Sequence, residues 1–328
     1  MIRPPPGAGI RHFTQWKCSS ASYSALVHPV GREVECRAIA SWVEEARGGT
    51  PRVVLVAGGG GIGKTHVVEA VRAALEGAGR STALGLVPEQ PGAPPFWPWR
   101  QVEAQLGGSG LFGESEGVDP EIDRFSRFEA VHAWVTERAR AEGGLVLVLE
   151  DVHRADLPSL RLLAHLVLHL RNEPLAVVAT HRLDPGDHAE GFPEVLDQLR
   201  RWSGTRRLEL QGLDRSAVAA LLDGAPPPVV DRVVEVTGGN ALFVRELALH
   251  LAAGGKPNSV PGSVRDAVAV RLARQSAPCA EALRVAAVTG RDFAAGVVAT
   301  VLGQPALSVL DMMDEAADAG LIEPTGTP

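Results

Sequence analysis

Residues 58–65 read Gly58-Gly59-Gly60-Gly61-Ile62-Gly63-Lys64-Thr65, a G-x-x-x-x-G-K-[ST] octet. The apolar run Val53–Ala57 precedes it and a helical pattern over His66–Leu75 follows. Strand, glycine loop and helix in that order are the setting in which such an octet wraps phosphate. Backbone N–H groups can turn inward around phosphate oxygens only where no side chain blocks them, which the glycines provide. The helix behind the loop points the positive end of its dipole at the anion. The octet, with His66 in the first helical turn, is therefore expected to bind a nucleoside triphosphate. Lys64 reaches the β- and γ-phosphates, and the Thr65 hydroxyl holds Mg2+.

Such a loop needs a sheet behind it. Strand candidates lie at Arg52–Ala57, Thr82–Val87, Leu145–Leu149, Leu175–Thr180 and Arg207–Leu210, mostly short, apolar and β-branched, as in strands buried on both faces. Helical patterns lie at Val34–Ala46, His66–Glu76, Arg124–Ala141 and Pro158–Arg171. This alternation is the α/β signature of a parallel sheet with helices on both faces. Pro88–Arg100 interrupts it with prolines that exclude regular structure, and Phe96, Trp97 and Trp99 are expected to pack onto the sheet. After Gln211 the strands stop. Asp214–Leu222, Val229–Val236, Ala241–Ala253, Val264–Arg274, Pro278–Val288, Ala294–Leu302 and Leu307–Ala319 all read as helices. Met1–Ser24 has no sustained period and reads as a mobile tail.

A second set of residues completes the chemistry. The apolar strand Leu145–Leu149 ends in Glu150-Asp151. Two acids closing a buried strand are costly unless they face a cation or water. Ligands of parallel sheets sit at the carboxyl ends of strands, which puts these acids beside Lys64 and Thr65. One would hold Mg2+ through its water shell and the other would orient or deprotonate the attacking water; the residues do not say which does which. Thr180-His181-Arg182 closes the next strand, so Arg182 is either a contact for the γ-phosphate or a solvated surface arginine. No Asn-Lys-x-Asp signal for guanine is present, so ATP is favoured over GTP.

Composition narrows the surroundings. A formal net charge of −7 excludes the whole chain as a nonspecific nucleic-acid binder. The three cysteines, Cys18, Cys36 and Cys279, are too scattered for a disulfide framework or a metal site and suit a reducing cytosol. No apolar stretch approaches the roughly 20 residues that span a bilayer. Of the 32 basic residues only Lys17, Lys64 and Lys256 are lysines, and one of them stands where phosphate chemistry needs it.

The assembled motifs resemble one family over residues 28–325. They are Val30-Gly31-Arg32-Glu33, the glycine octet, Leu149-Glu150-Asp151-Val152-His153-Arg154-Ala155-Asp156, Ala179-Thr180-His181-Arg182, Thr237-Gly238-Gly239-Asn240-Ala241-Leu242-Phe243-Val244 and Val264-Arg265-Asp266-Ala267-Val268. Together they are similar to the STAND class of AAA-like P-loop ATPases. Within that class they resemble the ATPase core of large LuxR-type bacterial transcription regulators and adenylate-cyclase-associated ATPases. The resemblance implies a P-loop NTPase domain over 28–211, a helical lid over 212–258 and a winged-helix-like module over 259–328, after a disordered tail over 1–27. It places Gly31 and Arg32 near the adenine, makes Arg182 a sensor of nucleotide state, and has Gly239-Asn240 open the lid segment that touches ribose or base. Relatives usually carry Pro where this chain has Ala241, which softens that lid contact. They also continue past the winged helix into helical repeats and a DNA-binding helix-turn-helix.

The last helical pattern, Leu307–Ala319, carries Asp311, Asp314, Glu315 and Asp318 and no basic residue. A helix that reads DNA needs Arg or Lys against phosphate, so direct DNA binding by this chain is not expected. The expected function is a cytoplasmic ATP/ADP switch with slow hydrolysis and a protein partner, or self-association in the ATP state. A P-loop small-molecule kinase and a nonhydrolysing interaction module are the alternatives.

Overall fold

In the computed structural model the described residues are 29–88, 92–113, 120–252, 262, 265, 268–269, 272–273, 275–290, 293–319 and 321–322. The expected tail over 1–27 lies outside them, as does most of the helical pattern Val264–Arg274.

Five parallel strands form one sheet: β1 (Arg52–Ala57), β2 (Ser81–Leu86), β3 (Leu145–Glu150), β4 (Leu175–His181) and β5 (Thr205–Glu209), in the order β2-β3-β4-β1-β5. Composition explains the order. β3 and β4 are buried at every residue and β1 at all but its first, and these three are the apolar runs at the centre. β5 reads TRRLE and has no fully buried residue, as suits an edge. Successive side chains alternate between faces. Val53, Leu55, Leu147, Leu149 and Val177 enter one core with α3 (Trp97–Gln105), α4 (Pro120–Ala141), α5 (Leu157–His169) and α6 (Phe192–Arg201). Val54, Val56, Val146, Val148 and Val178 enter the other with α1 (Glu33–Arg47) and α2 (Lys64–Gly77).

Two local expectations are corrected here. The proline-rich segment after β2 contains α3, because Pro98 sits within its first turn, where a missing N–H is harmless. Gln101 and Gln105 of α3 then close the free edge of β2: Gln105 Nε2 donates to Leu84 O (2.6 Å) and Gln101 Nε2 to Leu86 O (2.8 Å). Phe96 and Trp99 are buried as expected, but Trp97 is 38% exposed. The helix α6 has no counterpart among the sequence-read helices.

Beyond the sheet lie α7 (Arg215–Leu221), α8 (Pro227–Thr237) and α9 (Ala241–Ala252), with their own apolar cluster around Val218, Val233, Val244 and Leu247. Asp214 caps α7 by accepting from the Ala217 N–H at 2.8 Å. A further cluster joins α10 (Ala277–Thr289), α11 (Ala295–Leu302) and α12 (Ala306–Asp318). Glu315 of α12 is engaged in that packing, accepting from the Ser276 N–H at 2.6 Å and the Ser276 hydroxyl at 2.7 Å. Among the described residues no single helix is long and apolar enough to cross a membrane.

Candidate phosphate-binding site

The octet joins the end of β1 to the start of α2, at the carboxyl edge of the sheet where β3 and β4 also end. Lys64 is the first residue of α2 and is 7% exposed. Its Nζ donates to the Gly58 and Gly59 carbonyls at 2.9 and 3.0 Å, so the ammonium lies over the loop. The N-terminus of α2 has no side-chain cap and no acid in its first turn. A buried ammonium above an uncapped helix start is a donor set that fits phosphate oxygens. Ile62 is buried beneath the loop, and Thr65 and His66 lie exposed in the first turn of α2.

The structure brings Glu150 of the acid pair to the loop. The Thr65 hydroxyl donates to Glu150 Oε2 at 2.5 Å, across the gap between α2 and β3. Glu150 is 4% exposed, and burial first, then Glu69 and Asp151, push its carboxyl above the ordinary range against the opposing Thr65 bond and Arg72. A hydroxyl and two carboxylates are hard oxygen donors that fit Mg2+. Asp151 adopts a left-handed backbone (φ 56°), and its N–H donates to Thr180 Oγ1 at 2.9 Å. Strain of this kind persists where the surroundings over-determine the backbone. Here the fully buried Thr180 holds it.

Arg182 lies beyond the end of β4 and its Nη1 binds Asp187 Oδ2 at 2.6 Å. Arg32 is 4% exposed and donates to the carbonyls of Ile62 (3.0 Å) and Gln211 (2.6 Å), tying the turn before α1 to the loop and to the exit from β5. Gly31 faces α7 so closely that a Cβ would stand 2.3 Å from Ala217 Cβ.

The start of α9 and the residue before it touch the loop itself. Asn240 Nδ2 donates to Gly60 O at 2.9 Å, and the Leu242 N–H donates to Gly61 O at 3.0 Å. Gly61 has φ 77°, and a Cβ there would press on Asn240 Oδ1 and Leu242 Cβ at 3.0 Å each. Gly239 accepts from the Leu213 N–H at 2.7 Å.

Thr180 and His153 stand within the sequence motifs but carry no role there. Their signal was position: one closes β4, the other follows the acid pair. His153 is fully buried, with Nδ1 3.8 Å from Asp151 Oδ1 and both ring nitrogens without a hydrogen-bond partner. Burial first, then the charges of Arg182 and Lys64, push it down to about 3, so the ring is neutral. The unfolded chain, with an ordinary histidine near 6.5, takes up this proton first. Stability is therefore lost as pH falls below about 6.5 towards about 3. Urea unfolding between pH 7.5 and 5 is expected to show a slope lower by up to about 1.4 kcal/mol per pH unit in His153→Leu than in the parent. Equal slopes would mean that the ring titrates normally.

Residues 28–178 match the family model described as an AAA ATPase domain. No curated protein matches the chain. A Walker-type ATPase of Pyrococcus abyssi superposes with a TM-score of 0.56 at 12% identity, over 88% of this chain and 89% of that one. A STAND protein with a tetratricopeptide repeat sensor from Pyrococcus horikoshii gives 0.43 at 17% identity, over 92% of this chain and 41% of that one. A Thermotoga maritima RuvB variant gives 0.42 at 15% identity, over 90% of each chain. The fold is that of the P-loop NTPases, five parallel strands with helices on both faces and a helical C-terminal part.

Proposed function

We propose that this chain binds ATP and Mg2+ at the octet, hydrolyses ATP slowly, and works as a nucleotide-dependent switch. The observation that carries the reading is the grip of Asn240 and Leu242 on the Gly60 and Gly61 carbonyls, because it couples the phosphate loop to a separately packed helical unit. In this reading 28–211 is the nucleotide domain, 212–258 the lid and 259–328 a winged-helix-like regulatory arm. The chain acts in the cytosol as part of a bacterial transcription regulator of the LuxR-like STAND type, engages a protein partner or a second copy in the ATP state, and does not itself contact DNA.

The residues divide the work. Lys64 leaves the loop carbonyls for the β- and γ-phosphates, and α2 offers its N–H groups to the same oxygens. Thr65, Glu150 and Asp151 would hold Mg2+, which would neutralise charge on the phosphate oxygens. One of the two acids orients or deprotonates the attacking water. Arg182 releases Asp187 to sense the γ-phosphate. Gly31, Arg32, Gly239 and Asn240 frame the adenosine end, where the buried Arg32 already links the loop to the exit from β5.

A ligand shifts two states only through a difference in affinity. ADP and a nonhydrolysable ATP analogue differ by the γ-phosphate, so they should set different protection over residues 236–252 in hydrogen exchange. Identical protection at confirmed saturation would leave a static nucleotide-binding module. Asn240→Ala removes one side-chain bond to the loop, worth about 1 kcal/mol. It is expected to raise exchange in α9 in the free chain and to change nucleotide affinity by about 5-fold. Steady-state phosphate release, with and without candidate acceptors, separates an ATPase from a kinase.

A further inference from the structure

Away from the nucleotide site, α4 and α5 bring together Glu129, His132, His165 and His169. Two of them are three residues apart on α4, and the other two are four apart on α5, so each pair shares one helix face. One ligand atom from each of Glu129, His165 and His169 lies within 4.8 Å of the other two. The His165 and His169 ring centroids are 4.2 Å apart, and the His132 ring lies 6.3 and 6.1 Å from them.

We propose that Glu129, His165 and His169, with His132 as a fourth ligand, form a binding site for a divalent transition-metal ion of the zinc class that pins α4 to α5.

Three features point to a ligand rather than to packing alone. First, His169 Nδ1 lies 2.7 Å from His165 O. A carbonyl only accepts, so Nδ1 is the donor in this bond and Nε2 is the nitrogen left to serve as a ligand atom. A metal-binding imidazole is oriented by such a bond on its other nitrogen. Second, His165 Nε2 stands 2.9 Å from Glu129 Oε1, yet it has no aligned hydrogen-bond partner. His132 Nε2 is likewise buried without one. Third, the donor set is imidazole nitrogen with one carboxylate, the chemistry of zinc and its neighbours rather than of Ca2+ or Mg2+. Bonds of about 2.0–2.2 Å around a tetrahedral ion set ligand atoms about 3.3 Å apart. Glu129, His165 and His169 therefore draw together by about 1.5 Å at most, within reach of rotamer changes on two helix surfaces, and His132 completes the set by turning in from α4. The His165 side chain is 10% exposed and that of Glu129 51%, so the site has a closed floor and an open mouth. Burial holds His132 and His165 below their ordinary range, which keeps their lone pairs free at neutral pH.

The test uses the full chain, stripped with a chelator and titrated with Zn2+ without nucleotide in phosphate-free buffer. One ion per chain is expected with micromolar or tighter affinity, and Co2+ in its place should give visible absorption bands of nitrogen and oxygen ligation. The double change His165→Ala with His169→Ala should weaken binding by at least about 100-fold, and Glu129→Gln, at a half-exposed carboxylate, by about 10-fold. Lowering pH from 7.5 to 5.5 should weaken it as the imidazoles protonate. Zn2+ should also raise the thermal midpoint of the parent and not of the double variant. No saturable binding below about 1 mM would reduce the cluster to packed imidazoles and overturn the proposal. Tight binding unchanged by Glu129→Gln and by the double substitution would place the ion elsewhere and overturn it equally.

Discussion

Lys64→Ala is expected to lower ATP affinity by at least about 100-fold. The ammonium is buried over the loop and lies 2.9 and 3.0 Å from two loop carbonyls, a position from which it can turn to two phosphates. A hydrogen bond to a charged group contributes about 1.5–3 kcal/mol. Losing two of them exceeds the roughly 2.7 kcal/mol that a 100-fold change requires. The backbone N–H groups of the loop remain, but they carry no full charge. The substitution also leaves the Gly58 and Gly59 carbonyls without this donor, so the free loop should exchange faster. Calorimetry at moderate salt reads the affinity, and circular dichroism checks the fold. A folded variant that binds ATP as tightly as the parent would defeat the assignment of this loop.

Glu150→Gln should separate stability from turnover. Phosphate release is expected to fall by about 10²–10⁴-fold if Glu150 is the base, with ATP affinity largely kept, because an amide cannot take the proton. The apo protein should at the same time become more stable near pH 7–8. The sign follows from burial: the native carboxyl titrates above its ordinary value, so the folded state holds its proton more readily than the unfolded state. The cost is absent below about pH 4 and grows as pH rises through the native value. Replacing a desolvated charge by an amide that still accepts from Thr65 removes that cost. The gain should show as a higher thermal midpoint at pH 7–8 than that of the parent. Asp151→Asn is the partner experiment. If it lowers turnover more than Glu150→Gln does, Asp151 is the base and Glu150 serves the metal. No stability gain at pH 8 would show that the Thr65 bond outweighs burial.

Much of the sheet was readable because buried parallel strands leave a plain mark. Val53–Ala57, Leu145–Leu149 and Leu175–Ala179 are unbroken apolar runs, and all three lie in central strands. The proline-rich segment hides its helix because proline breaks a helix interior, whereas a proline in the first turn is compatible with α3. The helix α6 went unnoticed because Phe192–Arg201 is short and follows a Pro-Gly-Asp turn, so its apolar spacing had little length in which to show. The imidazole cluster of α4 and α5 was invisible for a different reason: Glu129 and His169 are far apart in the chain, and only helix packing makes them neighbours.

The amino-acid sequence by itself determined the glycine octet, its strand and helix, the acid pair on β3 and the order of α/β elements. Each of these is written in contiguous residues whose spacing matches a local backbone geometry. Only the tertiary structure decided that Thr65 meets Glu150, that Thr180 holds Asp151 in its left-handed turn, and that Asn240 reaches across to Gly60. Those pairs join residues far apart in sequence. Their distances depend on how the strands pair, on which face each helix covers and on where α7, α8 and α9 pack, none of which a local pattern carries.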